Sequence, residues 1–214
     1  MISFEKRLIY IHIPKTGGYT LKKILNPYSP DQLNQVTNRY NESGLSMTDD
    51  RTKKDIFHPS VKFYKQHYSD VYEHFTKFAI VRNPWDRMIS YMMWLNKGKF
   101  DNELFMTWLD LNTTGIFNST EDVNQVSMLT DNTGKCDIDV MIKYSEFNKI
   151  MYFFEARGID SSLITTKTNS VHKKHYTEYC QYGLKEKIEK VCKPDIDFFG
   201  FTYDGDCKET ALWF

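Results

Sequence analysis

The sequence has no excess charge of either sign and no hydrophobic run long enough to cross a bilayer. Its 28 basic and 28 acidic side chains give a formal net charge of zero over 214 residues. Proteins that coat nucleic acids or membrane surfaces carry a basic excess, and a membrane-spanning helix needs about 20 apolar residues. These absences predict a protein with neither a nucleic-acid partner nor a membrane partner, and with a cytoplasmic location.

Cysteine is scarce, and its spacing matches no metal-binding pattern. The four cysteines form no CxxC pair and no Cys/His pair with ligand spacing; they are Cys136, Cys180, Cys192 and Cys207. We therefore expect reduced and mostly buried thiols, with two disulfides as the alternative. The sequence also has no internal repeat, low-complexity tract or linker. A single domain over residues 1–214 follows, since a chain of this size can bury about 70% of its surface.

Short buried strands alternate with amphipathic helices along the chain. Strands are predicted at 8–13, 77–82 and 138–144, with a shorter one at 163–166. Helices are predicted at 20–26, 59–75, 84–96, 101–111, 119–129, 145–158 and 183–192, where Pro194 should end the last one. This alternation predicts an α/β fold with a central, mainly parallel sheet flanked by helices. The polar residues 26–56 form a long irregular excursion, which in a compact domain is usually functional or mobile.

A loop that is suited to binding an anion follows the first strand, with the letters PKTGGYT. Gly17 and Gly18 allow the backbone to curl so that successive amides point at one anion. The helix that is predicted to open at Thr20 adds its amide donors and its positive end. Lys15 brings an ammonium group, and Thr16 and Thr20 bring hydroxyl donors. The Walker A spacing GxxxxGK[ST] is absent, and an ordinary strand-to-helix turn is the alternative.

The second strand ends in the letters VRNPWDRMISYM. Arg82 stands at the strand's end, where its guanidinium can grip a phosphate bidentately. Asn83 is a good N-cap and Pro84 fits the first helical turn, so Ser90 falls almost two turns into the helix with its hydroxyl available to the same phosphate. A salt bridge at the rim is the alternative for Arg82, and a helix contact is the alternative for Ser90. Arg87 is predicted to be exposed or structurally paired.

These two segments, in this order, resemble the motifs of sulfotransferases that use 3′-phosphoadenosine-5′-phosphosulfate (PAPS). The similarity is to the branch that contains Golgi carbohydrate sulfotransferases and their bacterial relatives. PKTGGYT is similar to the family's 5′-phosphosulfate loop, and VRNPWDRMISYM to its 3′-phosphate motif. Weaker similarities lie in FHP around His58, in Asn124-Gln125 with the following LTDNTG, in residues 169–179 and in DIDFFGF at residues 195–201. Where relatives read RFENL, this chain reads KYSEF at residues 143–147, which displaces the carboxylate by one position.

The resemblance implies a P-loop-NTPase-like α/β domain that moves a sulfuryl group from PAPS to a hydroxyl of a small-molecule or carbohydrate acceptor and releases 3′,5′-ADP. No metal is expected, because a sulfuryl group carries less negative charge than a phosphoryl group. Residues 26–56 are the natural acceptor-selecting element. The donor-binding residues that the resemblance implies are Lys15, Thr16, Gly17, Gly18, Tyr19, Thr20, Arg82 and Ser90, together with Lys173 and Lys174 of a basic run that could equally be a solvated face.

Two residues are the candidates for the chemical step. Lys15 would contact the bridging oxygen and stabilise the departing charge. His58 stands at the family's histidine position and is the candidate general base, because histidine titrates near neutrality. A histidine that caps a helix or packs in a loop is the structural alternative, and Glu73 and Asp86 are the alternative bases. His12 is predicted to be a core or sheet-face residue.

Two other functions are compatible with such motifs. One is a nucleotide-dependent small-molecule kinase with a degenerate phosphate loop, which should show Walker A spacing and a magnesium-binding carboxylate. The other is a catalytically inactive nucleotide-binding module, which the joint presence of Lys15, Arg82 and Ser90 disfavours. The aromatic residues Trp85 and Trp94 are predicted to belong to the core rather than to a sugar-binding platform.

Overall fold

A computed structural model describes residues 1–28, 40–41, 44–45, 58–111, 123–165 and 174–205 of the chain. The strands are β1 (Ile2–Ser3), β2 (Leu8–Ile11), β3 (Tyr40–Asn41), β4 (Gly44–Leu45), β5 (Thr76–Val81) and β6 (Val140–Lys143). Four of them form a sheet in the order β1-β2-β5-β6, and β3 and β4 pair separately. β1 is antiparallel to β2, whereas β2, β5 and β6 run parallel. This is the predicted α/β fold with a mainly parallel sheet.

The helices that the structure describes are mostly short. They are α1 (Gly18–Leu25), α2 (Val61–His67), α3 (Ser69–Tyr72), α4 (Pro84–Leu95), α5 (Asn102–Leu111), α6 (Gln125–Leu129), α7 (Lys149–Glu155), α8 (Leu184–Val191) and α9 (Lys193–Phe199). Single 3₁₀ turns occupy Asn26–Tyr28, Tyr144–Glu146, Ser162–Thr165 and Tyr176–Glu178. No helix in the described part of the chain is long and apolar enough to span a membrane.

The side chains of the sheet alternate between two hydrophobic cores, as the twofold period of a strand requires. Tyr10, Phe78 and Ile142 point to one face, where they pack against α1 and α7. Ile11 and Val81 point to the other face, which is covered by α2 to α6 and by α8 and α9. Helices therefore cover both faces of the sheet, and ligands can reach the strands only at their ends.

Three local predictions are wrong. The amphipathic stretch 59–75 is two helices, because the backbone at Tyr68 leaves the helical region with φ −133° and ψ 32°. The apolar run predicted as a strand at 163–166 forms the 3₁₀ turn Ser162–Thr165, since a run this short does not distinguish the two structures by its period. Pro194 does not end the helical stretch but stands in the first turn of α9, where the missing amide costs nothing.

Several expectations fall on residues outside the described ranges. Most of the excursion 26–56 and the basic residue Lys173 lie there. Cys136, Cys180 and Cys192 are free thiols, and Cys207 lies outside the described residues. The single-domain assignment stays a prediction.

Candidate functional site

Three parallel strands end at one edge of the sheet, and both sequence motifs begin there. The PKTGGYT loop follows β2, Arg82 follows β5, and Tyr144 follows β6. The guanidinium of Arg82 donates a hydrogen bond from Nη1 to the carbonyl oxygen of Lys15 at 2.8 Å. The fold thus joins the two motifs directly, although 67 positions separate them in the sequence.

The loop after β2 adopts a left-handed bend. Lys15 has φ 69° and Gly17 has φ 89°, a region that only glycine occupies without strain. Helix α1 begins at Gly18, two residues before the predicted start at Thr20. The hydroxyl of Thr16 donates to the carbonyl of Ile13 at 2.7 Å, which ties the loop to its own strand. Because α1 begins directly after this loop, the amides of its first turn lie near the edge at which the strands end.

Aromatic rings pack directly against the two loop glycines. A Cβ atom on Gly18 would overlap the imidazole of His12, and a Cβ atom on Gly17 would lie 2.5 Å from the ring of Phe147. Only glycine fits at either position. His12 is buried, as predicted, but it lies beneath the loop and shapes it. Phe147 belongs to the KYSEF segment at the end of β6. This segment therefore packs against the loop that follows β2.

The side chain of Lys15 is partly withdrawn from solvent. Burial lowers its pKa to about 8, and the nearby charge of Arg82 contributes to the same shift. The Nζ atom lies 5.5 Å from the centroid of the Trp94 ring. Trp94 is 53% exposed, so the prediction that it belongs to the core is wrong, whereas Trp85 is buried.

Arg82 is buried and forms the salt bridge that was the alternative to a phosphate grip. Its Nε and Nη2 atoms donate to the carboxylate of Asp86 at 2.6 and 2.9 Å. The ring of Tyr144 covers the guanidinium at 4.3 Å. Three of the five N–H groups are used in the bonds to Asp86 and to the Lys15 carbonyl. The guanidinium is therefore held in a fixed plane at the end of β5.

Ser90 lies on the same face of α4 as Asp86. Asn83 caps this helix as predicted, since its side chain accepts from the amides of Trp85 and Asp86 at 3.0 and 3.4 Å. Ser90 follows Asp86 by four residues, which places the two side chains one above the other along the helix. Its side chain is buried.

His58 lies at the same edge, in contact with His12. The two rings are 4.4 Å apart at 74°. Burial, together with the nearby ammonium of Lys22, lowers the pKa of His58 to about 3. Burial also lowers the pKa of His12, and the nearby His58 and Lys22 contribute to this shift. Burial lowers the pKa of Lys22 to about 8. Both imidazoles are therefore neutral at physiological pH, so each is in a form that can accept a proton.

The structure favours a catalytic or donor-binding place for none of the three other candidates, Glu73, Asp86 and Lys174. Glu73 is an exposed residue just before β5 begins, which is the opposite edge of the sheet. Asp86 is at the site, but it is the partner of Arg82. Lys174 is exposed and pairs with Glu178 at 3.8 Å.

A cavity of about 240 Å³ opens beside Arg82. It is lined by Arg82, Asn83, Asp86, Tyr144, Ser145, His175, Tyr176, Asp204 and Gly205. The lining combines hydrogen-bonding groups with the flat rings of two tyrosines, which suits a polar ring-containing ligand. Sequence reasoning placed Tyr144 and Tyr176 in segments that resemble the family but gave neither a role at the site, and it did not consider the segment 204–205. Only the fold brings these distant parts of the chain to Arg82.

A fully buried ion pair connects the segments that form the site. Arg87 lies 3.5 Å from Asp195 and donates to the carbonyls of Pro14 at 3.2 Å and Val123 at 2.9 Å. Gln125 donates to Asp195 at 3.1 Å and to the Arg82 carbonyl at 2.8 Å. Arg87 is thus structurally paired, one of the two predicted outcomes, and it connects both motifs to the carboxyl-terminal helix α9.

Comparison with known proteins gives a family match. The family described as "Sulfotransferase family" matches residues 1–156, which include both motifs and all three strand ends. No curated protein and no solved structure matches the chain significantly. Among the residues that the structure describes, no group of three or more histidine, cysteine or carboxylate side chains is placed to hold a metal ion.

Proposed function

Because the chain belongs to the sulfotransferase family, we propose that it transfers a sulfuryl group from PAPS to a hydroxyl group of a carbohydrate acceptor. In this reaction the acceptor oxygen forms a bond to sulfur while the bond between sulfur and the bridging oxygen breaks. The acceptor's proton goes to a base, and 3′,5′-ADP leaves with the electron pair of the broken bond. The protein must therefore hold both phosphates of the donor, stabilise the leaving oxygen and accept one proton.

The hydrogen bond between Arg82 and the Lys15 carbonyl is the observation that carries the proposal. It fixes the group suited to a 3′-phosphate beside the loop suited to a 5′-phosphosulfate. An ordinary adenylate carries only the second of these anions. A site built from both motifs at one sheet edge supports a donor with phosphates on both its 3′ and 5′ positions.

The loop and Lys15 would bind the 5′ end of the donor. The amides of residues 16–20, in the loop and the first turn of α1, would hold the 5′-phosphate, and the hydroxyl of Thr20 and the ring of Tyr19 stand at the same turn. The ammonium of Lys15 would bind the bridging oxygen and stabilise the negative charge that grows there during an in-line displacement. Lys15 must be protonated for this role, and at neutral pH it is, because its pKa is about 8.

Arg82 and Ser90 would bind the 3′ end. Asp86 orients the guanidinium through two hydrogen bonds and so sets the plane in which it would meet the phosphate. The cavity beside Arg82 would receive the nucleoside. Lys174, which directly precedes the lining residue His175, would supply positive charge there, and Lys173, which lies outside the described residues, stays a predicted donor contact. Asp86 would place a negative charge close to the 3′-phosphate. The affinity for this phosphate would therefore depend on its direct bonds to the guanidinium more than on the summed charge of the site.

His58 would accept the proton of the acceptor hydroxyl. It is neutral in the free protein, and a negatively charged donor beside it would raise its pKa toward the range of an effective base. Its backbone has φ 51°, a strained conformation for a side-chain-bearing residue. Strain of this kind is found where a site fixes a side chain for function.

A thermal-shift comparison of 3′,5′-ADP, 5′-AMP and ATP with magnesium tests the proposal. The protein should be stabilised most by 3′,5′-ADP, because only that ligand presents anions to both motifs. Stabilisation scales with the logarithm of ligand concentration over Kd, so a ligand at 100 times its Kd adds about 2.7 kcal/mol. A preference for ATP with magnesium would favour a kinase instead, and no response to any nucleotide would contradict donor binding.

A further inference from the structure

Trp94 is a large aromatic side chain at the mouth of the site with no role in the scheme above. It is 53% exposed, whereas Trp85 and Tyr91 on the same helix are buried. Leaving a tryptophan ring in water forgoes much of the stabilisation that its burial would give. Packing against the buried ring of Tyr91, 5.8 Å away, therefore explains the position of only part of the ring. The contact that it makes with the site is with Lys15, whose Nζ lies 5.5 Å from the ring centroid.

The backbone of Lys15 is anchored, but its side chain needs a partner. Arg82 holds the Lys15 carbonyl, while the four-carbon side chain keeps its rotamer freedom. Within the described ranges, no carboxylate forms an ion pair with the Nζ atom. The groups that face it are the guanidinium of Arg82, which repels it and is itself paired with Asp86, and the neutral imidazole of His12.

We propose that Trp94 is a positioning residue for Lys15, and that the face of its ring holds the ammonium at the entrance of the loop. The face of an indole ring is negative and attracts a cation within about 6 Å. Trp94 follows Ser90 by four residues, so α4 directs both side chains to the side on which the loop lies. The ring thereby opposes the burial and the charge of Arg82, which lower the pKa of Lys15.

The meaning of this contact for catalysis rests on the proposed function, but the contact itself does not. If Lys15 stabilises the leaving oxygen, a ring that keeps the ammonium charged and in place shortens the movement that binding of the donor requires. The reaction would then lose rate without losing its donor site when the ring is removed. This separates a positioning role from a structural one.

Lysine-selective ¹³C NMR of the free protein tests the proposal without any ligand. The Lys15 signal is assigned by its loss in Lys15→Arg, and in the wild type its ε protons should show an upfield ring-current shift and titrate near pH 8. Trp94→Leu should remove the ring-current shift and lower the midpoint by about half a pH unit. Trp94→Phe should retain most of both effects. Leu95→Ala is the matched control, since Leu95 is the next residue and is 42% exposed.

An unchanged Lys15 signal and midpoint in a folded Trp94→Leu variant would overturn the proposal. If Trp94→Leu does not fold, Trp94→Met is measured instead, because methionine keeps much of the bulk but has no π face. An unchanged Lys15 signal and midpoint in Trp94→Met would likewise overturn the proposal. A 3′,5′-ADP titration on the same samples separates the two hypotheses. If Lys15 responds to Trp94 while the wild type binds no 3′,5′-ADP, the proposed function fails and the contact stands.

Discussion

At the scale of single residues, the site combines an unfavourable backbone conformation with unfavourable burial of polar side chains. Lys15 and His58 both have positive φ, and both are withdrawn from water. Neither feature stabilises the fold, and each costs on the order of 1 kcal/mol or more. The neighbouring contacts of His12 and Arg82 maintain this arrangement, which is what a site prepared for an anion requires.

Lys15→Ala should lower kcat for sulfuryl transfer by about 10²–10³-fold, the usual effect of removing one group that stabilises a developing oxyanion. The loop amides and Arg82 remain, so 3′,5′-ADP should still bind measurably. Transfer to the acceptor and calorimetry with 3′,5′-ADP measure the two quantities. Wild-type turnover in Lys15→Ala would remove Lys15 from the mechanism.

The pH dependence of kcat/KM should report the titration of Lys15. Burial and Arg82 lower the pKa of Lys15 from 10.5 to about 8, so the ammonium is lost as the pH rises through about 8 and kcat/KM should fall there. Lys15→Arg should lose this alkaline limb, because a guanidinium does not titrate below pH 12. An alkaline limb that persists unchanged in Lys15→Arg would assign it to another group.

His58→Ala should abolish transfer to the acceptor while leaving the affinity for 3′,5′-ADP within a few fold of the wild type. General-base catalysis contributes about 10²–10⁴-fold. His74→Ala is the matched control, because His74 is exposed and lies just before β5 begins, at the opposite edge of the sheet. Equal rates for the two variants would show that the base lies elsewhere.

The position of a residue could be predicted from the sequence where it stands near a recognisable strand. Lys15 and Gly17 come shortly after the first strand, so their place at the sheet edge could be predicted. The packing of Phe147 on Gly17 and the exposure of Trp94 could not, because they depend on how distant segments fold together. The sequence left open whether Arg82 forms a salt bridge, and the structure shows that it pairs with Asp86.

At the scale of elements, Gly17 in the loop before α1 and Gly98 after α4 have similar backbone angles but different surroundings. Gly17 needs both a positive φ and space next to Phe147, whereas Gly98 has a similar φ of 86° and nothing within 4 Å of where a Cβ would stand. Comparing the same substitution at the two positions therefore separates the cost of backbone strain from the cost of a clash with a neighbouring side chain.

Gly98→Ala should destabilise the protein by about 1 kcal/mol, the cost of a left-handed alanine. Gly17→Ala should cost more than that and should also weaken 3′,5′-ADP binding by at least tenfold, because Phe147 must move and the loop amides move with it. Phe147→Ala in the Gly17→Ala background should recover part of the binding. Denaturant melts and calorimetry measure both effects; equal behaviour of the two glycine variants would contradict the account of the loop.

Elements with strong local signals were predictable from sequence. The buried strands before each motif and the Asn-Pro start of α4 lie where the patterns place them. The break at Tyr68 carries no glycine or proline signal, so periodicity alone extended the helix through it. The antiparallel strand β1 is two residues long, too short for alternation to be recognised.

At the scale of the whole molecule, the sheet edge is connected to the carboxyl-terminal helix by the buried pair of Arg87 and Asp195. The two side chains are 1% and 0% exposed, so removing one leaves an uncompensated buried charge. Arg87→Met should therefore destabilise the protein by about 3–5 kcal/mol, and adding Asp195→Leu should restore much of the loss. Lys193→Ala, which removes a solvated pair with Asp197 on α9, should change stability little. Similar losses for Arg87→Met and Lys193→Ala in urea melts would contradict this role.

A crystal structure of the protein with 3′,5′-ADP tests the central claim most directly. We predict the 5′-phosphate at the amides of residues 16–20 and the 3′-phosphate on Arg82 and Ser90, with the adenosine in the cavity lined by Tyr144 and Tyr176. In a parallel titration, Arg82→Ala should weaken 3′,5′-ADP far more than 5′-AMP. A nucleotide bound away from both motifs, or an equal loss of both ligands in Arg82→Ala, would contradict the account.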